Sequence, residues 1–265
     1  MVGKRRRLGR IVKNGRTLMV PMDHGISKPV AGVERIEDVL RRIDGIADAV
    51  VLHKGVAKRI GYVAEMEMGL VIHLSASTCL VDPNDKRIVT SVEKAIELGA
   101  DAVSIHINIG SRTEGRQLEE AGKIAELCDS WGMPLLAMIY PRGDGINEKD
   151  PEMVKHAIRV GYELGVDIVK TNYTGNPESF AEALEVADVP VVMAGGSKTD
   201  ELKLLRDVKD AIMAGAIGVA IGRNVFQHER PELITKALRM IIHDDAEVDE
   251  VRRVLYEGGL APRVG

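Results

Sequence analysis

One lysine of this 265-residue sequence follows directly on the apolar residues of a predicted strand. In "GVDIVKTNYTG" (165–175), Lys170 comes immediately after Ile168 and Val169. Lysine is rarely buried, because taking an ammonium group out of water is costly. Apolar surroundings favour the neutral amine of a lysine, which attacks ketones and aldehydes to form a Schiff base. The alternatives for Lys170 are an ion pair or an ammonium that reaches solvent.

Schiff-base chemistry also needs groups that move protons. Tyr140 ends the predicted strand before that of Lys170, and Asp23 ends the first predicted strand. These two side chains are the candidates for proton transfer beside an imine at Lys170. The alternative for Tyr140 is an aromatic residue at the rim of the site with a solvated hydroxyl.

Eight short runs rich in Val, Ile and Ala alternate with amphipathic stretches. Such runs, apolar almost throughout, are typical of parallel strands covered on both faces. Their last residues, counting the eighth to Gly222, lie 21 to 34 residues apart, as in repeated βα units. The predicted strands are 17–25, 49–55, 70–76, 102–110, 134–143, 168–175, 190–196 and 218–226.

Eight βα units in one chain of this length predict a (β/α)8 barrel, the TIM barrel. We interpret residues 1–265 as a single barrel domain with a short basic segment at the N-terminus. A doubly wound α/β sheet is the competing fold, but no GxGxxG follows the first strand. Four strand starts also resemble one another: "GIADAVV" (45–51), "GADAVSI" (99–105), "GVDIVKT" (165–171) and "GAIGVAI" (215–221).

In TIM barrels the active site lies at the carboxyl ends of the strands and in the loops that follow. These ends are unusually polar here, so we expect them to form the wall of a binding site. The polar residues are Asp23, His24, His53, Lys54, His73, Ser75, His106, Asn108, Tyr140, Arg142, Lys170, Asn172, Tyr173, Lys198, Arg223 and Asn224.

Two glycine-containing loops follow predicted strands seven and eight, "MAGGSKT" (193–199) and "AIGRN" (220–224). Barrel phosphate sites commonly use these two loops, where backbone amides reach the anion. Gly195, Gly196 and Gly222 allow a phosphate to approach the backbone, and Arg223 adds a charged fork. The pattern predicts a phosphate-bearing substrate.

Composition excludes several other classes of protein. The net charge is −4, which gives no overall attraction to nucleic acid or to an anionic membrane. The one basic run, "KRRRLGR" (4–10), reads as the solvated start of a terminal helix. Only Cys79 and Cys128 are present, no signal-like segment begins the chain, and no apolar run approaches the roughly 20 residues that span a bilayer. We therefore expect a cytoplasmic protein with no nucleic-acid or membrane partner.

A metal site is the competing interpretation of the histidines at the ends of strands one to four. Imidazoles suit zinc, but no HExxH helix and no HxH pair on strand one accompanies His24, His53, His73 and His106. We expect these histidines to line the cavity as hydrogen-bonding groups, with no metal and no cofactor.

The sequence resembles the archaeal-type class I aldolases, from about residue 8 to residue 245. The motifs that carry this resemblance stand in family order: "MDHG" (22–25), "YPRG" (140–143), "VKTNYTG" (169–175), "AGGSKT" (194–199) and "GRNVFQH" (222–228). One departure is Ser197, where a proline commonly follows the two glycines.

The resemblance implies a role for each matching residue. Lys170 becomes the Schiff-base lysine, Tyr140 the proton donor and Asp23 the proton acceptor. It also implies a homo-oligomer, such as a decamer. The substrate would be bound by Asp23, His24, Gly25, Ile26, Ser27, Tyr140, Pro141, Arg142, Lys170, Gly195, Gly196, Gly222 and Arg223.

Within the family, the sequence is more similar to a transferase branch than to fructose-bisphosphate aldolases. The aldolases tend to carry a tryptophan two residues before the motif tyrosine, where this chain has Met138. The implied reaction moves a three-carbon unit from a deoxy-hexodiulose phosphate, a sugar phosphate, to L-aspartate semialdehyde. This acceptor needs extra polar groups, and the candidates at strands two to four are His53, Lys54, His73, Ser75, Ser77, His106 and Asn108.

Three alternatives of function stay open at this point. A plain aldolase would cleave fructose bisphosphate without an amino-acid acceptor. A non-catalytic sugar-phosphate sensor would keep the phosphate loops but have no use for Lys170 with Tyr140. A zinc hydrolase would require a bound metal.

Overall fold

A computed structural model describes residues 1–257 of the chain, in which eight parallel strands close into a barrel. Around the barrel the order is β1-β8-β7-β6-β5-β4-β3-β2, and β1 also pairs with β2. The predicted TIM barrel is therefore confirmed, and the doubly wound sheet is wrong. The strands are β1 (Thr17–Pro21), β2 (Ala49–His53), β3 (Gly69–His73), β4 (Ala102–Ile109), β5 (Leu135–Pro141), β6 (Ile168–Thr171), β7 (Val191–Ala194) and β8 (Gly218–Ala220).

Helices surround the barrel, and several begin at residues suited to that position. Pro151 and Pro177 each follow a cap residue, Asp150 or Asn176, whose side chain accepts a first-turn amide hydrogen. The helices are α1 (Val2–Ile11), α2 (Ile36–Ile43), α3 (Lys54–Arg59), α4 (Val92–Glu97), α5 (Glu114–Trp131), α6 (Pro151–Glu163), α7 (Pro177–Leu184), α8 (Glu201–Met213), α9 (Arg223–Phe226), α10 (Pro231–His243) and α11 (Val248–Glu257).

Each of the eight strands ends earlier than predicted, and two of these differences change the structure at the mouth of the barrel. The eighth strand was expected to run to Phe226, but it ends at Ala220, and residues 223–226 form the short helix α9. The third strand ends at His73, and residues 75–76 instead pair antiparallel with residues 87–88. This small hairpin adds a second layer over the mouth of the barrel beside β3 and β4. Residues 258–265 of the predicted single domain lie outside the described residues.

The interior of the barrel is filled with small and medium apolar side chains. Helix α1 lies at the amino-terminal end, where Ile11 is fully buried in this interior cluster. A Cβ atom on Gly69, the first residue of β3, would lie 2.5 Å from the side chain of Ile11. The other buried members are Met19, Ala49, Val51, Val71, Ala102, Leu136, Met138, Tyr140, Ile168, Val192, Ala194 and Ala220.

The basic segment of α1 docks against the barrel. The terminal helix was expected, and it is confirmed, but its cations are not simply solvated. Lys4 Nζ lies 2.5 Å from a carboxylate oxygen of Asp129 and 3.0 Å from one of Asp167, and Arg10 pairs with Asp101 at 3.4 Å. These ion pairs fix α1 over the amino-terminal end. No helix within residues 1–257 is both long and apolar enough to cross a membrane.

Three of the four repeated strand starts place an aspartate that forms two hydrogen bonds with the preceding strand. The Asp48 carboxylate accepts a hydrogen bond from the Leu18 amide at 2.7 Å, and the Asp48 amide donates to the Leu18 carbonyl at 2.9 Å. Asp101 and Asp167 repeat both bonds, their carboxylates accepting from Leu70 at 3.0 Å and Leu135 at 2.9 Å. We call these three residues the aspartate clamps.

In the fourth repeat Ile217 occupies the position of the aspartate. Its amide still donates to the Val191 carbonyl at 2.9 Å, but its side chain packs against the interior cluster. The register at the end of the barrel therefore rests on backbone bonds and packing. One constraint there is that a Cβ on Gly218 would lie 1.8 Å from the Thr17 carbonyl oxygen.

The aspartate clamps predict a graded loss of stability. Asp48 is 4% exposed, and its carboxylate also lies 2.7 Å from His243, so Asp48→Ala leaves buried donors without a partner. We expect this change to lower the free energy of unfolding by about 3 kcal/mol. Asp101→Ala is the matched control; with 18% of its side chain exposed, it should cost about 1 kcal/mol. Urea denaturation measures both, and equal losses would contradict the explanation.

Candidate active site

A polar cavity of about 360 Å³ opens at the carboxyl ends of the strands. Every one of the eight strands, or the loop that follows it, contributes to the wall. The polar and glycine residues of this wall are Asp23, His24, Ser27, Lys28, His53, His73, Ser75, Lys86, His106, Tyr140, Arg142, Lys170, Asn172, Gly195, Gly196, Gly222 and Arg223; Ile26, Val30, Ala76, Pro83, Met138, Ala194 and Ala220 complete it.

Lys170 lies at the floor of this cavity, on the inner face of β6. It is 7% exposed, and its Nζ lies 4.0 Å from the thioether sulfur of Met138, the residue opposite it on β5. It forms no ion pair with a carboxylate of residues 1–257, and its burial keeps it from bulk solvent. Both alternatives considered for Lys170 are therefore wrong, and its amine faces the space that a substrate would fill.

Tyr140 lies two residues beyond Met138 on the same strand, so both side chains face inward. It is 6% exposed, which excludes a solvated residue at the rim. The ring packs edge-on against His106 at 5.0 Å between centroids, and the Arg142 guanidinium lies 4.4 Å above its centroid. These contacts hold the hydroxyl of Tyr140 in the cavity wall.

Asp23 lies just past β1, between two histidines. Its carboxylate oxygens lie 3.7 Å from a ring nitrogen of His24 and 3.7 Å from one of His73. Burial by itself raises the pKa of the Asp23 carboxyl. The positive charges of His73 and His24, which are protonated at the acid pH where Asp23 titrates, and of Lys170 outweigh burial and hold that pKa well below its usual range. An ionised carboxylate in a wall of the cavity suits a proton acceptor.

The four histidines of the wall form a neutral, hydrogen-bonding surface. Burial lowers the pKa of His73 to about 3, and it also lowers the pKa values of His24, His53 and His106. His73 Nδ1 lies 2.8 Å from the Ser104 hydroxyl. Among residues 1–257, no three His, Cys, Asp or Glu side chains are grouped to hold a metal ion.

The loops after β7 and β8 are tied to each other. The Asn224 amide donates to the carbonyls of Gly195 at 3.1 Å and Ser197 at 3.2 Å, and Arg223 donates to the Gly196 carbonyl at 2.8 Å. A Cβ atom on Gly222 would lie 2.2 Å from the Pro21 carbonyl oxygen. Only glycine fits there, and the backbone of both loops faces the cavity.

Several residues of the predicted site lie elsewhere. Lys54 begins α3, and its ammonium donates to the Val89 carbonyl outside the cavity. Tyr173 is buried in the core against Phe180, with ring centroids 5.3 Å apart. Lys198 donates to the Gln227 carbonyl at the surface. These three predictions of position are wrong, because strand-end position alone does not decide which way a side chain points.

Smaller corrections concern residues next to the cavity. Asn108 is fully buried and supports its neighbours, and Asn224 holds the loops without facing the cavity. Ser77 is also outside the lining, although it accepts a hydrogen bond from a lining residue. Gly25 and Pro141 do not line the cavity either, although residues next to them in the sequence do.

Lys86 is a residue of the cavity wall that was not predicted from the sequence. Its side chain lines the cavity beside His106, although it belongs to the loop that leads into residues 87–88. Lys86 does not lie at the end of a predicted barrel strand, so the rule used for the other residues could not find it. The only signal was a lysine shortly before a brief β-branched run, "KRIVT" (86–90), which is too common to interpret.

Comparisons with known proteins agree with this geometry. The family model described as "DeoC/LacD family aldolase" matches residues 17–228. The chain is 57% identical over 261 residues, 98% of both chains, to 2-amino-3,7-dideoxy-D-threo-hept-6-ulosonate synthase 1 of Archaeoglobus fulgidus. It is 42% identical over 234 residues, 86% of this chain and 85% of the other, to 2-amino-4,5-dihydroxy-6-oxo-7-(phosphonooxy)heptanoate synthase of Streptomyces griseus. Among solved structures, a Schiff-base-forming fructose-1,6-bisphosphate aldolase covers 91% of this chain and 100% of its own, with a TM-score of 0.85 and 33% identity.

The buried histidine wall predicts a measurable protonation state. Because burial lowers the pKa of His73 to about 3, its imidazole should stay neutral from pH 5 to pH 8. In ¹⁵N-labelled protein, the two ring-nitrogen shifts of His73 should not move across this range. A midpoint near pH 6.5 would show that the ring is hydrated and would contradict the buried wall.

Proposed function

This chain belongs to the DeoC/LacD aldolase family, and we propose that it makes 2-amino-3,7-dideoxy-D-threo-hept-6-ulosonate by transaldol transfer. The donor is a deoxy-hexodiulose phosphate, and the acceptor is L-aspartate semialdehyde. The product enters aromatic amino-acid biosynthesis on the way to 3-dehydroquinate. The relative at 57% identity is named for this product, which supports the proposal.

The observation that carries the proposal is the buried, unpaired Lys170 at the floor of the cavity. Its Nζ attacks a ketone carbon of the donor, water leaves, and an imine forms. The bond between the carbons alpha and beta to the imine carbon then breaks, and its electron pair moves toward the protonated imine and forms the double bond of the enamine. The lysine keeps a three-carbon enamine, and hydroxypyruvaldehyde phosphate departs.

Asp23 and Tyr140 carry out the two proton transfers, one during cleavage of the donor and one during addition to the acceptor. During cleavage, the donor hydroxyl that becomes the new aldehyde must lose its proton, and the ionised Asp23 carboxylate suits this role. During addition, the enamine carbon attacks the aldehyde of L-aspartate semialdehyde, and the resulting alkoxide needs a proton from Tyr140. Water then hydrolyses the imine, which releases the seven-carbon product and frees Lys170.

The phosphate of the donor is assigned to the loops after β7 and β8. Gly195, Gly196 and Gly222 leave the backbone open to an anion, and Arg223 adds the charge. Asn224 keeps the two loops together, so that the site exists before the substrate arrives. The homo-oligomer that the resemblance implies stays a prediction.

A fructose-bisphosphate aldolase is the second candidate, favoured only by the likeness to solved aldolases at 33% identity. The part of the cavity wall formed by β2, β3 and β4, where we place the acceptor, does not favour this second candidate. His53, His73, Ser75 and His106 give this side polar groups that an amino acid can use. The Streptomyces griseus relative is likewise named for a seven-carbon 2-amino acid.

The activity assay separates the two candidates. Incubated with deoxy-hexodiulose phosphate and ¹⁵N-labelled L-aspartate semialdehyde, the purified chain should form a ¹⁵N-containing seven-carbon product seen by mass spectrometry. Fructose bisphosphate should be cleaved at least about 100-fold less efficiently, which corresponds to about 2.7 kcal/mol of transition-state discrimination. Efficient cleavage of fructose bisphosphate without ¹⁵N incorporation would assign the chain to the aldolases.

Borohydride trapping tests the roles of Lys170 and Tyr140. Reduction in the presence of donor should attach the three-carbon unit to the peptide that contains Lys170, and Lys170→Arg should abolish trapping because a guanidinium stays protonated. Tyr140→Phe should lower kcat by about 10²- to 10⁴-fold while trapping persists. Label on Lys86, the other buried lysine of the cavity, would mean that the nucleophile is wrongly assigned.

A further inference from the structure

Lys86 is a buried cation that the proposed chemistry has not yet used. It is 8% exposed and lines the cavity, and its ammonium donates to the Ser77 hydroxyl at 2.7 Å. Within residues 1–257 it forms no ion pair with a carboxylate. A buried ammonium is costly unless an anion compensates it, so its position favours an anionic ligand.

The loop that carries Lys86 is held firmly in place. The Asn84 carbonyl accepts hydrogen bonds from Asn108 at 3.0 Å and from Gln117 at 2.8 Å, and Asp85 is paired with Arg116. Residues 87–88, directly after Lys86, pair antiparallel with residues 75–76. The ammonium therefore projects from a fixed support, as a binding group requires.

Lys86 also lies on the side of the barrel opposite the phosphate loops. It neighbours His106 of β4 and the hairpin that follows β3, whereas Gly195 and Gly222 follow β7 and β8. In a ring of eight strands, β3 and β4 face β7 and β8, and β6 with Lys170 lies between them. The cavity thus has Lys86 at one end and Arg223 at the other, and the nucleophile Lys170 lies between them.

The other cations of the wall are already engaged or exposed. Arg142 lies 3.1 Å from a carboxylate oxygen of Glu148, and Arg223 belongs to the phosphate loops. Lys28 is exposed on the loop after β1. Lys54, the group first considered for this role, is outside the cavity. Of the cations that line the described cavity, Lys86 is thus the buried one left for a second anion.

Resting on the proposed function, we propose that Lys86 binds the carboxylate of the amino-acid acceptor. L-aspartate semialdehyde presents its aldehyde to the enamine at Lys170 and carries its carboxylate at the other end of a four-carbon chain. An ammonium opposite the phosphate loops receives that carboxylate and turns the aldehyde toward the enamine. Lys86 thereby selects an amino-acid aldehyde over an uncharged one.

Steady-state kinetics of the full chain test this assignment. Lys86→Met keeps the length of the side chain and removes its charge, so KM for L-aspartate semialdehyde should rise about 10- to 100-fold. Release of the phosphorylated aldehyde in a single turnover precedes acceptor binding and should change less than about 2-fold. Its persistence also shows that the variant is folded. Lys54→Met, the matched control, should change neither quantity.

An acceptor without a carboxylate sharpens the test. 3-Aminopropanal has the aldehyde and the amine of the natural acceptor but lacks its carboxylate. The loss in kcat/KM caused by Lys86→Met should disappear with this aldehyde, whereas a general distortion of the site would reduce both reactions equally. Equal losses would overturn the assignment of Lys86.

The pH dependence gives an independent readout. Burial lowers the pKa of Lys86 to about 8, Arg142 adds to this, and Asp23 and Asp82 oppose it. Since the ammonium is lost as pH rises through that value, kcat/KM for the acceptor should fall above about pH 8. Lys86→Arg keeps its charge and should not show this fall.

Three further outcomes would overturn the inference, and each has a different meaning. If Lys86→Met slows release of the phosphorylated aldehyde and leaves KM for the acceptor unchanged, Lys86 binds the donor phosphate. If the wild-type chain never incorporates L-aspartate semialdehyde, the proposed function itself fails. Incorporation by the wild type with unchanged kinetics in Lys86→Met would refute only the role of Lys86.

Discussion

The structure depends on holding the amine of Lys170 where the apolar interior of the barrel meets the polar cavity at its carboxyl end. Ile168, Val192 and Ile11 of α1 are buried in the apolar cluster that fills the interior of the barrel. The amine can therefore meet only what enters from the mouth. Within residues 1–257 Lys170 forms no ion pair with a carboxylate, so its amine is open to a substrate carbonyl that enters the cavity.

Around that amine the charges are few and separated. The histidine wall is kept neutral by burial, so it offers hydrogen bonds without repelling a cationic intermediate. Asp23 stays ionised in the same wall, and the anion-binding groups stand at the two ends of the cavity. One cavity can thus hold the proton donor Tyr140, the proton acceptor Asp23 and the two anionic groups of the substrates at separate places.

Strand ends were predictable because the pattern of apolar runs fixes the order and direction of parallel strands. That is why Lys170, Tyr140 and Asp23 could be expected in one place. Side-chain direction was less predictable, and Lys54 and Tyr173 turn away from the cavity. Lys86 could not be found at all, because its position depends on an antiparallel pairing of residues 75–76 with 87–88, a contact set by the folded barrel.

The aspartate clamps divide the barrel into units of two strands, since each joins an even-numbered strand to the one before it. In the fourth unit a glycine again stands two residues before the aligned position, as it does before Asp101 and Asp167, but that position holds Ile217 in place of the carboxylate. The β7–β8 pair therefore lacks the bond from a side chain to the backbone that the other three pairs share. Three strand pairs are thus joined by a carboxylate as well as by the backbone, whereas the pair next to the closure of the ring is joined by backbone bonds and apolar packing.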